Sequence, residues 1–166
     1  MRYQFVDRIL HVDANAAAAI ETLKTFPRGE DYFDGTFRPE DEVPSSLLLE
    51  SMAFAGAVLL CLRSDYRLQG VLLKVNQAAF MRPVLADQQV IVRSRLAAVQ
   101  GEWTGQLVSD QAPRLAQTLG QCFVGESQVA EADLLFLGVP LDVTLGSRKE
   151  EVLAAIKELV ATPVRH

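Results

Sequence analysis

Cysteine and histidine are scarce in this 166-residue chain, at two each, and the scarcity narrows the chemistry open to it. Cys61 and Cys122 lie far apart inside apolar segments and match no metal or redox spacing. They read as buried thiols of a reducing compartment. Of the two imidazoles, His11 reads as a strand-edge residue and His166 as part of a disordered end. The expectation is no metal and no cofactor. An excess of basic charge is missing too: the net charge of −5 argues against a nucleic-acid binder. No run of about 18 uninterrupted apolar residues occurs, as a membrane span would require. The opening MRYQFVDRILHV breaks its apolar residues with charges, unlike a signal peptide. The expected location is the cytoplasm.

What is present is a soluble, core-forming composition, 49% hydrophobic and 22% charged, in a length that suits one domain. The dominant stretch is residues 43–62, VPSSLLLESMAFAGAVLLCL, apolar on every side from Leu47 except at Glu50 and Ser51. A helix apolar all round is expected to be buried, since a surface helix shows only one apolar stripe. Pro44 suits a first turn, and Ser45 and Ser46 can cap orphan N–H groups. The spacing predicts a central helix over 46–62, with the whole stretch about 28 Å long at 1.5 Å per residue. Glu50 is then an anomaly, because a carboxylate inside a buried helix is costly unless paired or used.

Around this helix the chain reads mainly as strands. Residues 8–12 form a short candidate. Residues 16–26, AAAAIETLKTF, carry helix propensity yet could alternate as a strand from Ile20. Residues 27–46 are a polar loop leading into the helix start, a place where sites form. Strand patterns follow at 71–80 and 88–99, then at 115–124 and 128–139 around the turn signal Gly125-Glu126-Ser127. Trp103–Ser109 could pair back through Gly101. At the end, Ser147–Glu150 has the form of a capping box before an amphipathic helix carrying Val152, Leu153, Ile156, Leu159 and Val160. That helix needs a partner surface, either its own sheet or another subunit. The fold class is α+β, an antiparallel sheet wrapped on one helix.

Several stretches, in order, resemble a known family. They are Phe5–Leu10, the pair Tyr32-Phe33, Gly35-Thr36-Phe37-Arg38, Val43–Leu47, Glu50–Ala55, Ala79–Val84 and Val129–Leu134. The family is that of the β-hydroxyacyl-acyl-carrier-protein dehydratases of the hot-dog fold, and the resemblance spans roughly residues 4–137. It implies a hot-dog domain over 1–140, with 141–166 as a helical extension, and it assigns 20–26 to a strand. It implies dimerisation, with acyl carrier protein as a partner and fatty-acid or polyketide-type synthesis as the setting. In the family a loop histidine removes the α-proton and a helix carboxylate of the facing subunit helps the β-hydroxyl leave. Glu50 stands at the acid position, but Thr36 stands where the histidine belongs, and a threonine hydroxyl is no comparable base. Ser45 replaces the glycine whose N–H polarises the thioester, adding a side chain in the acyl path; Ser45 and Phe37 fall at substrate-binding positions. About a dozen residues between Gly101 and Leu115 exceed the family pattern.

Three functions follow from this pattern. The chain is a dehydratase-like subunit, inactive alone, that lends Glu50 to a site shared with a histidine-bearing homologue. Alternatively it is a hot-dog thioesterase using Glu50, or a non-catalytic acyl-binding or scaffold partner.

Overall fold

The computed structural model describes residues 5–15, 17–30, 41–101, 103 and 113–161. Among them, six strands form one antiparallel sheet in the order β1-β2-β4-β5-β6-β3. They are β1 (Arg8–Asp13), β2 (Ala19–Thr25), β3 (Leu68–Phe80), β4 (Gln89–Gln100), β5 (Leu115–Val124) and β6 (Ser127–Pro140). Helix α1 (Ser45–Arg63) lies against one face of the sheet, and α2 (Leu141–Leu145) and α3 (Lys149–Ala161) follow β6. This is the expected sheet wrapped on a single long helix, with a helix at the end of the chain.

Alternation builds the inner sheet face. In β5, Ala116, Thr118, Gly120 and Cys122 point toward α1 and are buried; in β6, Ala130, Ala132, Leu134 and Phe136 do the same. Small residues let the helix approach closely. A Cβ at Gly120 would lie 2.8 Å from Met52 Cβ, and one at Gly56 would lie 3.2 Å from the Phe136 ring. Across this seam Met52, Ala55, Leu59 and Leu60 lose all contact with water. By length and composition alone α1 could cross a membrane; here the sheet covers one side of it, as in the core of a soluble protein.

Residues 20–26 are the informative conflict. Ala19–Thr25 pairs with both β1 and β4, so tertiary pairing overrides the helix propensity of the alanine-rich approach. Lys24 is held 2.9 Å from Asp7, whose other carboxylate oxygen accepts from the Thr25 N–H at 2.6 Å.

Two local expectations are corrected. Pro44, not a serine, occupies the N-cap of α1, without a side-chain hydrogen bond; Ser45 is the first helical residue. Ser147 lies within a short 3₁₀ turn (Gly146–Arg148), and α3 begins at Lys149. In α3 only Ile156 is fully buried, while Val152, Leu153 and Leu159 pack partly against the core. The helix borders β1 and Tyr66 rather than the broad sheet face. The proposed strand at 103–109 falls outside the described residues except for Trp103. That indole is buried, with its Nε1 donating to Leu115 O at 3.3 Å, and a Cβ on Gly138 would lie 2.9 Å from its ring.

Candidate functional site

The start of α1 is set by a strap. Asp41 to Val43 runs antiparallel to Val84 to Ala86: Val43 N–H donates to Val84 O at 2.8 Å and Ala86 N–H to Asp41 O at 2.7 Å. Arg28 clips the strap from outside. Its guanidinium pairs with Asp41 and reaches Asp87 at 3.6 Å, and Asp41 holds its already high pKa higher still. Asp41 and Asp87 sit at φ 118° and 65°, backbone regions that favour glycine, so the pairing holds two unfavourable conformations in place. Residues 31–40 lie outside the described residues; Thr36 and Phe37 are among them.

At the helix start a pocket of about 230 Å³ opens between α1 and the β3–β4 turn, lined by Ser45, Leu48, Phe80, Met81 and Arg82. Ser45 is half-buried there. The first-turn N–H groups of a helix carry its positive dipole end, so this mouth can polarise a carbonyl oxygen. Phe80 and Met81 remain 43% and 46% exposed, an apolar lip on the pocket. In the sequence Phe80 reads as plain core, with no chemistry of its own. Its strand-ending position before Arg82-Pro83 was the available signal.

Glu50 corrects an expectation. It is exposed, on the same stripe of α1 as Ser46 and Phe54, so the helix is not buried all round within one chain. Five residues along a helix turn through about 140°, so Ser45 and Glu50 leave the axis in different directions. The chain therefore brings Ser45 to its own pocket but turns Glu50 outward. Phe54 beside it is 37% exposed, and its ring centroid stands 6.5 Å from that of Phe5. Met52, two residues from Glu50, is wholly buried, which marks how sharply the helix divides. His11 sits on edge strand β1 and is exposed. His166 lies outside the described residues.

Neither thiol competes as a nucleophile. Burial pushes Cys61 up to about 11 and Cys122 up to about 12. Both folded values lie above the unfolded value near 9, so the unfolded chain releases its thiol protons first as pH rises. The stability these groups contribute is complete below about pH 9 and is lost from there toward pH 11–12. Each unit of separation is worth about 1.4 kcal/mol, so urea midpoints should drop steeply between those limits. At pH 8 iodoacetamide should leave both thiols unmodified until the chain unfolds. Rapid alkylation of the native protein would contradict this burial.

These features define a hot-dog subunit with a helix-borne carboxylate left outside its own fold. The chain belongs to the FabA-like domain family, whose model matches residues 1–132. It is 30% identical over 154 residues to the 3-hydroxyacyl-[acyl-carrier-protein] dehydratase FabZ of Syntrophobacter fumaroxidans, covering 90% of each chain. The FabZ of Moorella thermoacetica is 29% identical over 138 residues, 81% of this chain and 87% of that one. Among solved structures, a hot-dog-like protein from Thermanaerovibrio acidaminovorans superposes with TM-score 0.60 at 11% identity, over 85% of this chain and 92% of that one. The E. coli PaaI protein from the phenylacetic acid degradation operon gives 0.54 at 12% identity, over 74% of each. At such identities these structures bear on the fold alone.

Proposed function

We propose that this chain is a dehydratase-type subunit for β-hydroxyacyl thioesters of acyl carrier protein, inactive alone, and that Glu50 completes a site with a histidine-bearing homologue. The observation that carries this reading is the outward Glu50. It stands on an exposed, partly apolar stripe of α1, where an apposed subunit would cover it. In the reaction, the partner's imidazole takes the α-proton and the C–H electron pair becomes the new Cα–Cβ double bond. The β-hydroxyl leaves as water with the proton of the Glu50 carboxyl. A carboxylic acid covered from solvent is suited to that second role, and an imidazole to the first. Threonine at position 36 supplies no base, so the reciprocal site of the pair is dead. The similarity to 3-hydroxyacyl-[acyl-carrier-protein] dehydratases supports acyl-carrier thioesters as the substrates, and fatty-acid or polyketide-type synthesis in the cytoplasm is the setting that suits them.

Assay of the purified chain with a β-hydroxyacyl-carrier thioester tests this. Turnover should be negligible alone and should appear on addition of a histidine-bearing homologue. Thr36→His should restore some turnover to the homomer if Ser45 leaves room for the thioester. Substantial dehydration by the unmodified homomer would overturn the reading. Hydrolysis of the thioester by the chain alone, abolished by Glu50→Gln, would replace it with a thioesterase.

A further inference from the structure

Among the described residues, only the β3 edge of the sheet is long and open. At the other edge, β1 is six residues long and bordered by α3. Strand β3 runs thirteen residues with most of its length exposed. On its helix-side face Leu72 and Phe80 are 37% and 43% exposed. So much apolar surface beside unpaired backbone marks an interaction face.

The edge carries one charge. Lys74, at the middle of β3, is exposed and makes no ion pair or hydrogen bond among the described residues. The nearest acid across the ladder is Asp133, and it is engaged: Gln117 Nε2 donates to both its oxygens at 2.8 Å and Asn76 Nδ2 to one at 3.1 Å. Nothing in its own sheet neutralises this ammonium.

Symmetry gives the charge its meaning. A second copy that continued the sheet antiparallel would be related by a two-fold axis normal to it, which puts both Lys74 side chains on the same face. With the axis at the strand's middle they stand directly opposite. With the axis shifted by one residue they are diagonal neighbours, still roughly 7–8 Å apart. Like charges so placed oppose pairing, and an acid opposite favours it.

We infer that Lys74 is a partner selector: β3 is built to pair with the edge strand of a homologous subunit that carries an acidic residue at the facing position, in preference to a second copy. The inference rests on the composite-site reading and names the chemistry of its partner's edge. Its failure is read from association alone, whereas failure of the composite site is read from turnover.

The charge-reversed chain serves as the stand-in for that partner. Sedimentation equilibrium at low salt would compare the unmodified chain, Lys74→Glu, Lys74→Leu and an equimolar mixture of the first two, with circular dichroism confirming that each is folded. The mixture should associate roughly five- to thirty-fold more tightly than either charged chain alone, from a swing of one like pair to one opposite pair. Lys74→Leu should self-associate more tightly than the unmodified chain. The preference of the mixture should shrink at 1 M salt, where the screening length falls to about 3 Å. Self-association of the unmodified chain equal to that of the mixture would overturn the inference, and so would a lack of association in every combination.

Discussion

If the proposed complex with a histidine-bearing homologue forms, Glu50→Gln should lower its turnover by roughly 10²–10⁴-fold, the range for loss of a general acid or base. The substitution is nearly isosteric, and Glu50 is exposed in the single chain, so neither folding nor pairing should change much. On the composite-site proposal, it removes the proton that the departing hydroxyl must take. Thr36→Ala should by contrast have almost no effect, because the same proposal puts Thr36 in the site that lacks a base. Steady-state turnover of the reconstituted pair, with one variant at a time, reads the asymmetry directly. If Thr36→Ala were as damaging as Glu50→Gln, a single live site could not be the arrangement. If neither mattered, the chain would be a scaffold and Glu50 a relic.

A second large effect is expected in the seam between helix and sheet. Leu59 is wholly excluded from water on the face of α1 that meets the strands. Leu59→Ala should cost about 2–5 kcal/mol, the sum of lost transfer energy and the cavity left behind. That is a large part of the stability of a domain this size. The comparison within one helix is Phe54→Ala. At 37% exposure Phe54 contributes less to the single chain, so its loss should move the urea midpoint little while weakening association with a partner. Urea unfolding of both variants, with sedimentation of the second, checks the pair. Equal destabilisation of the isolated chain by the two substitutions would contradict the division of α1 into a core face and a partner face.

Much of the fold was legible because hydrophobic period is a local property. The strands at 115–124 and 128–139 alternate cleanly, and β5 and β6 fall at Leu115–Val124 and Ser127–Pro140, joined at Gly125 with φ 58°. The helix at 46–62 was legible from its apolar length and lies within Ser45–Arg63. Residues 20–26 were not decidable from propensity; the resemblance assigned them to a strand, and pairing with β1 and β4 is what holds them extended. Trp103 against Gly138 was not legible at all. Such a contact joins residues far apart in the chain, and a glycine gives no local sign of what it must accommodate.

The sequence by itself determined that one long apolar helix is wrapped by antiparallel strands, that threonine stands at position 36, and that a carboxylate stands at position 50. Those are matters of composition and spacing. Tertiary structure alone decided which way that carboxylate faces. A helix rich in leucine and alanine looks uniform in sequence, but a sheet can cover only one side of a cylinder. Here the covered side holds Met52, Leu59 and Leu60, and the uncovered side holds Ser46, Glu50 and Phe54. The same geometry left Lys74 without an ion pair among the described residues at the centre of the β3 edge, because its position there depends on strand order, which no local pattern encodes.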